Sequence, residues 1–132
     1  MCIRDRFNSW GSWERNPFAR VAHDVVGRFF PGDPPGFYKV PFHYHDRQEI
    51  EADLRTAGFE GIEVEEVTLT SDIPSAEHFA KGLVFGNPLF EEVEERGGNP
   101  EEVVSAIAEA IQKELGPSMP LHALVVKAQK SG

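Results

Sequence analysis

The residues of this chain whose types and spacing could do chemistry are His43-Tyr44-His45-Asp46. Imidazole and carboxylate are ligand types that zinc and iron use, and side chains two apart on an extended segment share a face. A metal site needs a third protein ligand, and the sequence places none beside the pair. His78 and His122 are remote, Cys2 stands in the leading residues, and Asp46 is more economically used as a helix N-cap. No metal is therefore expected, and the two histidines read as loop residues that line a pocket or satisfy backbone groups. A small metallohydrolase is the reading that this pair alone would support. No Ser-His-Asp arrangement competes with it, because the serines fall at caps or in the tail and no nucleophile elbow is present. The run Glu91, Glu92, Glu94, Glu95 reads as a solvated helix face.

Elements on either side must hold these residues in place. Upstream, Phe7-Asn8-Ser9-Trp10 is strand-like and stops at Gly11, with only six residues before it. Those six look like a non-native leader and are set aside. Asn16-Pro17 predicts an N-cap with proline at the first helical position, and Phe18, Val21, Ala22, Val25, Val26 and Phe29 keep helical spacing until Pro31-Gly32. Residues 33–41, rich in Pro and Gly around Phe37 and Tyr38, predict a loop that carries aromatics over the surface. A second helix is expected from Asp46, with Glu49 completing a capping-box-like start, through Ile50 and Leu54 to a Gly58 stop.

Downstream, residues 62–70 alternate as a strand, but Ile62 and Val64 sit on one parity while Val67 and Leu69 sit on the other. A bulge at Glu65-Glu66 would restore one buried face. Ser75 caps a short helix with Phe79, Ala80 and Leu83 inward, and residues 89–95 suit an acidic turn or two. Asn99-Pro100 opens a longer helix with Val103, Val104, Ile107, Ile111 and Leu115 on its face, ended by Gly116. Residues 121–128 are almost continuously apolar, which suits a central strand covered on both faces, whereas the glutamates and threonines of 62–70 suit an edge.

Composition limits what these pieces can do. The chain has 132 residues, 40% hydrophobic and 27% charged, with no apolar run near the roughly 18 residues of a membrane span. Charged and polar residues at Arg4, Asp5, Arg6 and Asn8 argue against a signal peptide, and the single cysteine fits a reducing cytoplasm. A net charge of −9 without a basic stripe disfavours nucleic acid and leaves a neutral or cationic small partner open.

Taken in order, Asn8-Ser-Trp10, Asn16-Pro-Phe-Ala-Arg20, Phe29-Phe-Pro31, Pro41-Phe42-His-Tyr44-His45-Asp46 and Leu54-x-x-Ala-Gly-Phe59 resemble the C-terminal half of class I S-adenosylmethionine-dependent methyltransferases of the ubiquinone/menaquinone-biosynthesis-like group. The likeness runs from about residue 6 to the final strand. It implies an α/β fold: the C-terminal part of a Rossmann-like methyltransferase sheet whose final strand returns antiparallel between its neighbours, with helices 16–30, 46–57 and 99–115 on the faces. It implies that residues 7–132 are the C-terminal portion of one domain whose cofactor-binding half is absent. The Gly-rich loop and the ribose-binding acidic residue have no counterpart here, and Gly97-Gly98 follows no strand.

Function follows the same resemblance. The parent protein would carry a methyl group from S-adenosylmethionine to a small-molecule acceptor, and this part alone would be inactive. Open α/β sheets bind ligands at strand C-terminal ends, so Trp10, Phe18, Tyr44 and His45 become the candidate substrate-binding residues. Trp13, Phe37, Tyr38 and Phe42 would extend an apolar lining, and His45 could act as a base that the reaction does not strictly need. Phe18 and Phe42 suit a core position equally well. The alternative from another class is a non-enzymatic module whose aromatic loop engages a hydrophobic ligand or a protein.

Overall fold

A computed structural model describes residues 2–131 and gives a mixed α/β molecule with a three-stranded antiparallel sheet. The strands are β1 (Cys2–Trp10), β2 (Glu60–Asp72) and β3 (Ser118–Ser131), in the order β1-β3-β2. The last strand is therefore central, as expected from its apolar residues on both parities, and antiparallel to both neighbours. Some fifty intervening residues rule out a hairpin between β2 and β3, so the pairing depends on the helices that return the chain. The strand expected at 7–10 extends back through residues 2–6, which pair in register with the far end of β3.

Two apolar clusters divide the molecule. The larger is helical and combines α1 (Pro17–Phe29), α3 (Ala76–Phe85), α4 (Leu89–Glu95) and α5 (Pro100–Glu114). Val21, Val26, Val103, Val104, Ile107 and Ile111 are buried in it, following the helical period of their sequence. The Asn99 side chain accepts a hydrogen bond from the Glu101 amide at 3.0 Å, and Ser75 accepts from the His78 amide at 3.2 Å, so both expected caps form. Phe29 departs from its expected place and is 39% exposed. It lies at the end of α1, beyond the helical neighbours that cover Val25 and Val26.

The smaller cluster joins α2 (Arg47–Thr56) to one face of the sheet through Ile50, Leu54, Leu124, Val126 and Ala128. Asp46 caps α2 by accepting from the Gln48 amide at 2.8 Å. Its stop is a full Schellman arrangement: Phe59 N donates to Leu54 O at 2.9 Å and Gly58 N to Arg55 O at 3.0 Å. Gly58 takes φ +90, which glycine adopts without a Cβ penalty.

Three expectations need correction here. The irregularity in β2 lies between Glu60 and Glu63, around Gly61 at φ +58, and not at Glu65-Glu66. Val67 and Leu69 consequently keep the opposite parity to Ile62 and Val64, and Leu69 is 61% exposed. Nor do the helices cover both sheet faces. Helix α5 packs on α1 and α3, because its apolar face is matched by theirs, and α1 is the helix of that group that packs on β3. On the second sheet face Trp10 meets Phe18 of α1 at its edge, 6.1 Å between ring centroids, while Val67, Leu69, Ala123 and Val125 are left partly or largely exposed.

Candidate functional site

The joint between helical cluster and sheet is made by Asn16, which is fully buried. It stands at the N-cap position of α1 but does not cap the helix. Its Nδ2 donates to His122 O at 2.9 Å, and its Oδ1 accepts from His122 N at 2.9 Å. Beyond Trp10 the β1 ladder ends, and this side-chain amide takes over the backbone of β3 where another strand residue would have bonded it. Gly11 N also donates to His122 O at 2.9 Å. A side chain at Gly11 would overlap the His122 ring, so glycine is needed there for close approach.

From this joint the segment 31–46 crosses toward α3 and α4 and is tied down at several points. Tyr38 is buried, donates from its hydroxyl to Leu83 O at 2.9 Å, and accepts from Asn87 Nδ2 at 3.1 Å. Burial pushes the Tyr38 phenol up to about 12. Gly36 N donates to Glu92 Oε2 at 2.9 Å, and Arg96 pairs with Asp33 at 3.3 Å. Expected as a surface loop of aromatics, the segment is instead packed into the core through Tyr38 and Phe42. Proline and glycine mark the turns correctly, but they carry no information about which ring turns inward.

A cavity of about 270 Å³ opens beside this segment, lined by Trp13, Glu14, Lys39, Phe42, His43 and His45. The Trp13 indole is held by Nε1 donating to Tyr38 O at 3.0 Å and lies 4.6 Å from the His23 ring, centroid to centroid. His23 is held below its usual range by burial and then by the Lys39 charge. Phe42 is backed by Trp10 at 5.4 Å and Phe18 at 5.7 Å, so its ring is a fixed wall. The Glu14 carboxyl sits below its usual range, chiefly through hydrogen bonds with its own backbone and the Ser12 side chain, with His45 and Arg20 adding to this.

Of the four expected substrate residues, His45 lines this cavity. Trp10 and Phe18 stand behind it, and Phe18 belongs to the core cluster. Trp10 also lines two pockets of about 160 and 300 Å³ on the sheet. Tyr44 turns to the second cluster, where its hydroxyl donates to Asp53 Oδ2 at 2.7 Å. That bond, with some burial and the Asp53 and Glu49 charges, raises its phenol to about 12.

Sequence reasoning passed over Glu14 and Lys39. Lys39 had a legible signal, being the only Lys or Arg between Arg28 and Arg47. His43 gains a definite role from geometry. Its Nδ1 lies against the Val40 carbonyl, an acceptor, which requires a proton on Nδ1 and leaves the neutral ring's Nε2 as a lone pair. His45 has no comparable tether among the hydrogen bonds of the described residues.

The histidines do not gather a metal-ligand set. Among the described residues no three His, Cys, Asp or Glu side chains are grouped to hold an ion. His78 is exposed on α3, and His122 is buried on β3 with its Nε2 3.5 Å from Glu66 Oε1. Gly97 and Gly98 join α4 to α5, and Gly98 packs its Cα against Phe30 and Val93, so its lack of a side chain serves helix packing. Among the described residues no helix is long and apolar enough to cross a membrane.

Comparison with known proteins adds no family. No family model matches the chain, and no curated protein matches it either.

Proposed function

We propose that this chain is the acceptor-binding, C-terminal part of a class I S-adenosylmethionine-dependent methyltransferase that methylates a small molecule in the cytoplasm. One observation carries the reading: the final strand lies between two strands that are parallel to each other and antiparallel to it. That is the order the methyltransferase resemblance requires, and it is an uncommon way to finish an α/β sheet, because most such sheets are built from parallel crossovers. The apolar sheet face left partly uncovered supports the same reading, since a Rossmann-like sheet is covered on both sides by one complete domain.

In this reading the cavity beside Trp13 and Phe42 receives the acceptor. The two rings hold a flat apolar body, and water is displaced from between them. His43 Nε2 accepts a proton from a bound hydroxyl, while the Val40 carbonyl keeps the opposite nitrogen protonated and the ring oriented. His45 supplies a second polar contact. The burial of Tyr38 and Phe42 weighs against the alternative of a module that displays its aromatic loop to a partner.

The test is methyl transfer by a protein that joins this chain to its upstream coding sequence. Labelled methyl groups from S-adenosylmethionine should appear in a small-molecule fraction, and His43→Ala should reduce transfer to hydroxyl acceptors by about a hundredfold, the usual worth of a general base. Absence of transfer together with absence of a Gly-rich strand-loop-helix motif upstream would refute the assignment.

A further inference from the structure

Helices α1 and α5 pack together, and a groove of about 320 Å³ lies along their contact. Ala106 and Ala110 stand one turn apart on its α5 side, half-buried, and their short side chains leave it open. Phe29 lines it from the end of α1 and is exposed. One patch therefore carries both an uncovered aromatic ring and a hollow of small side chains.

The charges on its rim are balanced. Arg28 and Lys113 lie there with Glu109 and Glu114, in a chain whose net charge is −9. Glu114 pairs with Arg20 at 3.8 Å, but among the described residues Arg28, Glu109 and Lys113 form no ion pair. Glu109 and Lys113 stand one turn apart on α5, the spacing at which Arg20–Asp24, Arg47–Glu51 and Lys81–Glu77 do pair. Two copies of an acidic protein repel each other over most approaches, and a patch of balanced charge is where that repulsion is least. A surface with a knob, a hollow and both signs of charge is also complementary to itself under two-fold rotation, in which the knob of each copy meets the hollow of the other.

We propose that this groove is the contact between two copies of the chain, with Phe29 of each copy entering the groove of the other and Glu109 of each facing Lys113 of the other. The patch spans part of α5 and the last turn of α1, less than the roughly 800 Å² per partner of a standard interface, so the dimer is a weak one with Kd about 100 μM. The inference is independent of the methyltransferase reading, since neither the cavity beside Trp13 nor the sheet takes part.

Sedimentation equilibrium of the chain at low ionic strength tests it. Monomer and dimer should exchange reversibly, and Glu109→Lys or Lys113→Glu alone should weaken the dimer about tenfold, because like charges then face each other in both halves of the contact. An equimolar mixture of these two variants should recover association to within about threefold of the unaltered chain, since each then meets the opposite sign. That recovery separates a direct contact from damage to the fold. Phe29→Ala should weaken the dimer by about tenfold as well, as loss of a central aromatic anchor does. A chain that stays monomeric at millimolar concentration, single charge variants that associate as before, or a mixture that does not recover would overturn the inference. So would a dimer that Leu69→Lys, on the exposed sheet face, dissolves while Glu109→Lys leaves it intact.

Discussion

The helical cluster and the sheet obey the same hydrophobic economy with different outcomes. Helices α1, α3, α4 and α5 close on one another, so that nearly every apolar residue of their periodic faces is buried within the chain. Strand β3 is apolar on both parities, yet its neighbours bury only one of them: Leu124, Val126 and Ala128 meet α2, while Ala123 and Val125 lie on the open side with Trp10, Val67 and Leu69. A face of that composition left in water costs free energy in proportion to its area, roughly 25 cal/mol per Å². The helical part is therefore a finished packing unit, and the sheet has the pattern of an element designed to be covered twice. This contrast is what the proposed larger domain would explain.

The comparison is tested most strongly by truncation inside the finished unit. Ile107→Ala should destabilise the chain by about 2–5 kcal/mol in chemical denaturation, because the fully buried side chain leaves a cavity that four helices cannot close. A cost under about 1 kcal/mol would mean that the cluster is loosely packed. Next is the joint. Asn16→Ala strands the His122 N–H without its side-chain partner and should cost about 1–3 kcal/mol, with hydrogen exchange accelerated at the start of both α1 and β3. Faster exchange confined to one of the two would show that they are not coupled through this residue.

Smaller effects are expected at the tyrosines and on the open face. Both tyrosines are raised to about 12, so the folded chain favours the neutral phenols. Their contribution to stability is present below the ordinary value near 10 and is lost as pH rises through about 12. Phenolate absorbance should therefore stay low past pH 10, and Asp53→Ala should shift only the Tyr44 component downward. Val125→Thr, on the uncovered face, should change stability by no more than about 0.5 kcal/mol. A loss approaching that of Ile107→Ala would show that the face is buried in an assembly of this chain.

How much of this was legible in the sequence differs between the same two regions. Helical periods located α1, α2, α3 and α5, and capping residues Asp46, Ser75 and Asn99 behave as their types suggest, because a cap is decided by groups within one turn. Asn16 shows where local logic stops. Its type and the following proline indicate a cap, but a long-range bond to His122 has a stronger claim on the same amide. The phase switch in β2 was visible as a conflict between Val64 and Val67, and an added bulge was the wrong resolution, because the strand simply exposes its second parity. The central place of β3 was readable from its composition, whereas the missing cover on one side was not. Around the cavity, aromatic and histidine content pointed to residues 37–45, but the inward turn of Tyr38, the outward turn of Tyr44 toward Asp53 and the arrival of Lys39 at the mouth depend on contacts with α2, α3 and α4.

The most direct measurement of the central claim is a paired calorimetric titration with S-adenosylmethionine, using this chain alone and the same chain joined to its upstream coding sequence. No measurable binding to the chain alone is expected, and one cofactor per molecule at micromolar affinity in the extended protein. Micromolar binding by the chain alone would contradict the placement of the cofactor site, and no binding by the extended protein would contradict the methyltransferase assignment itself.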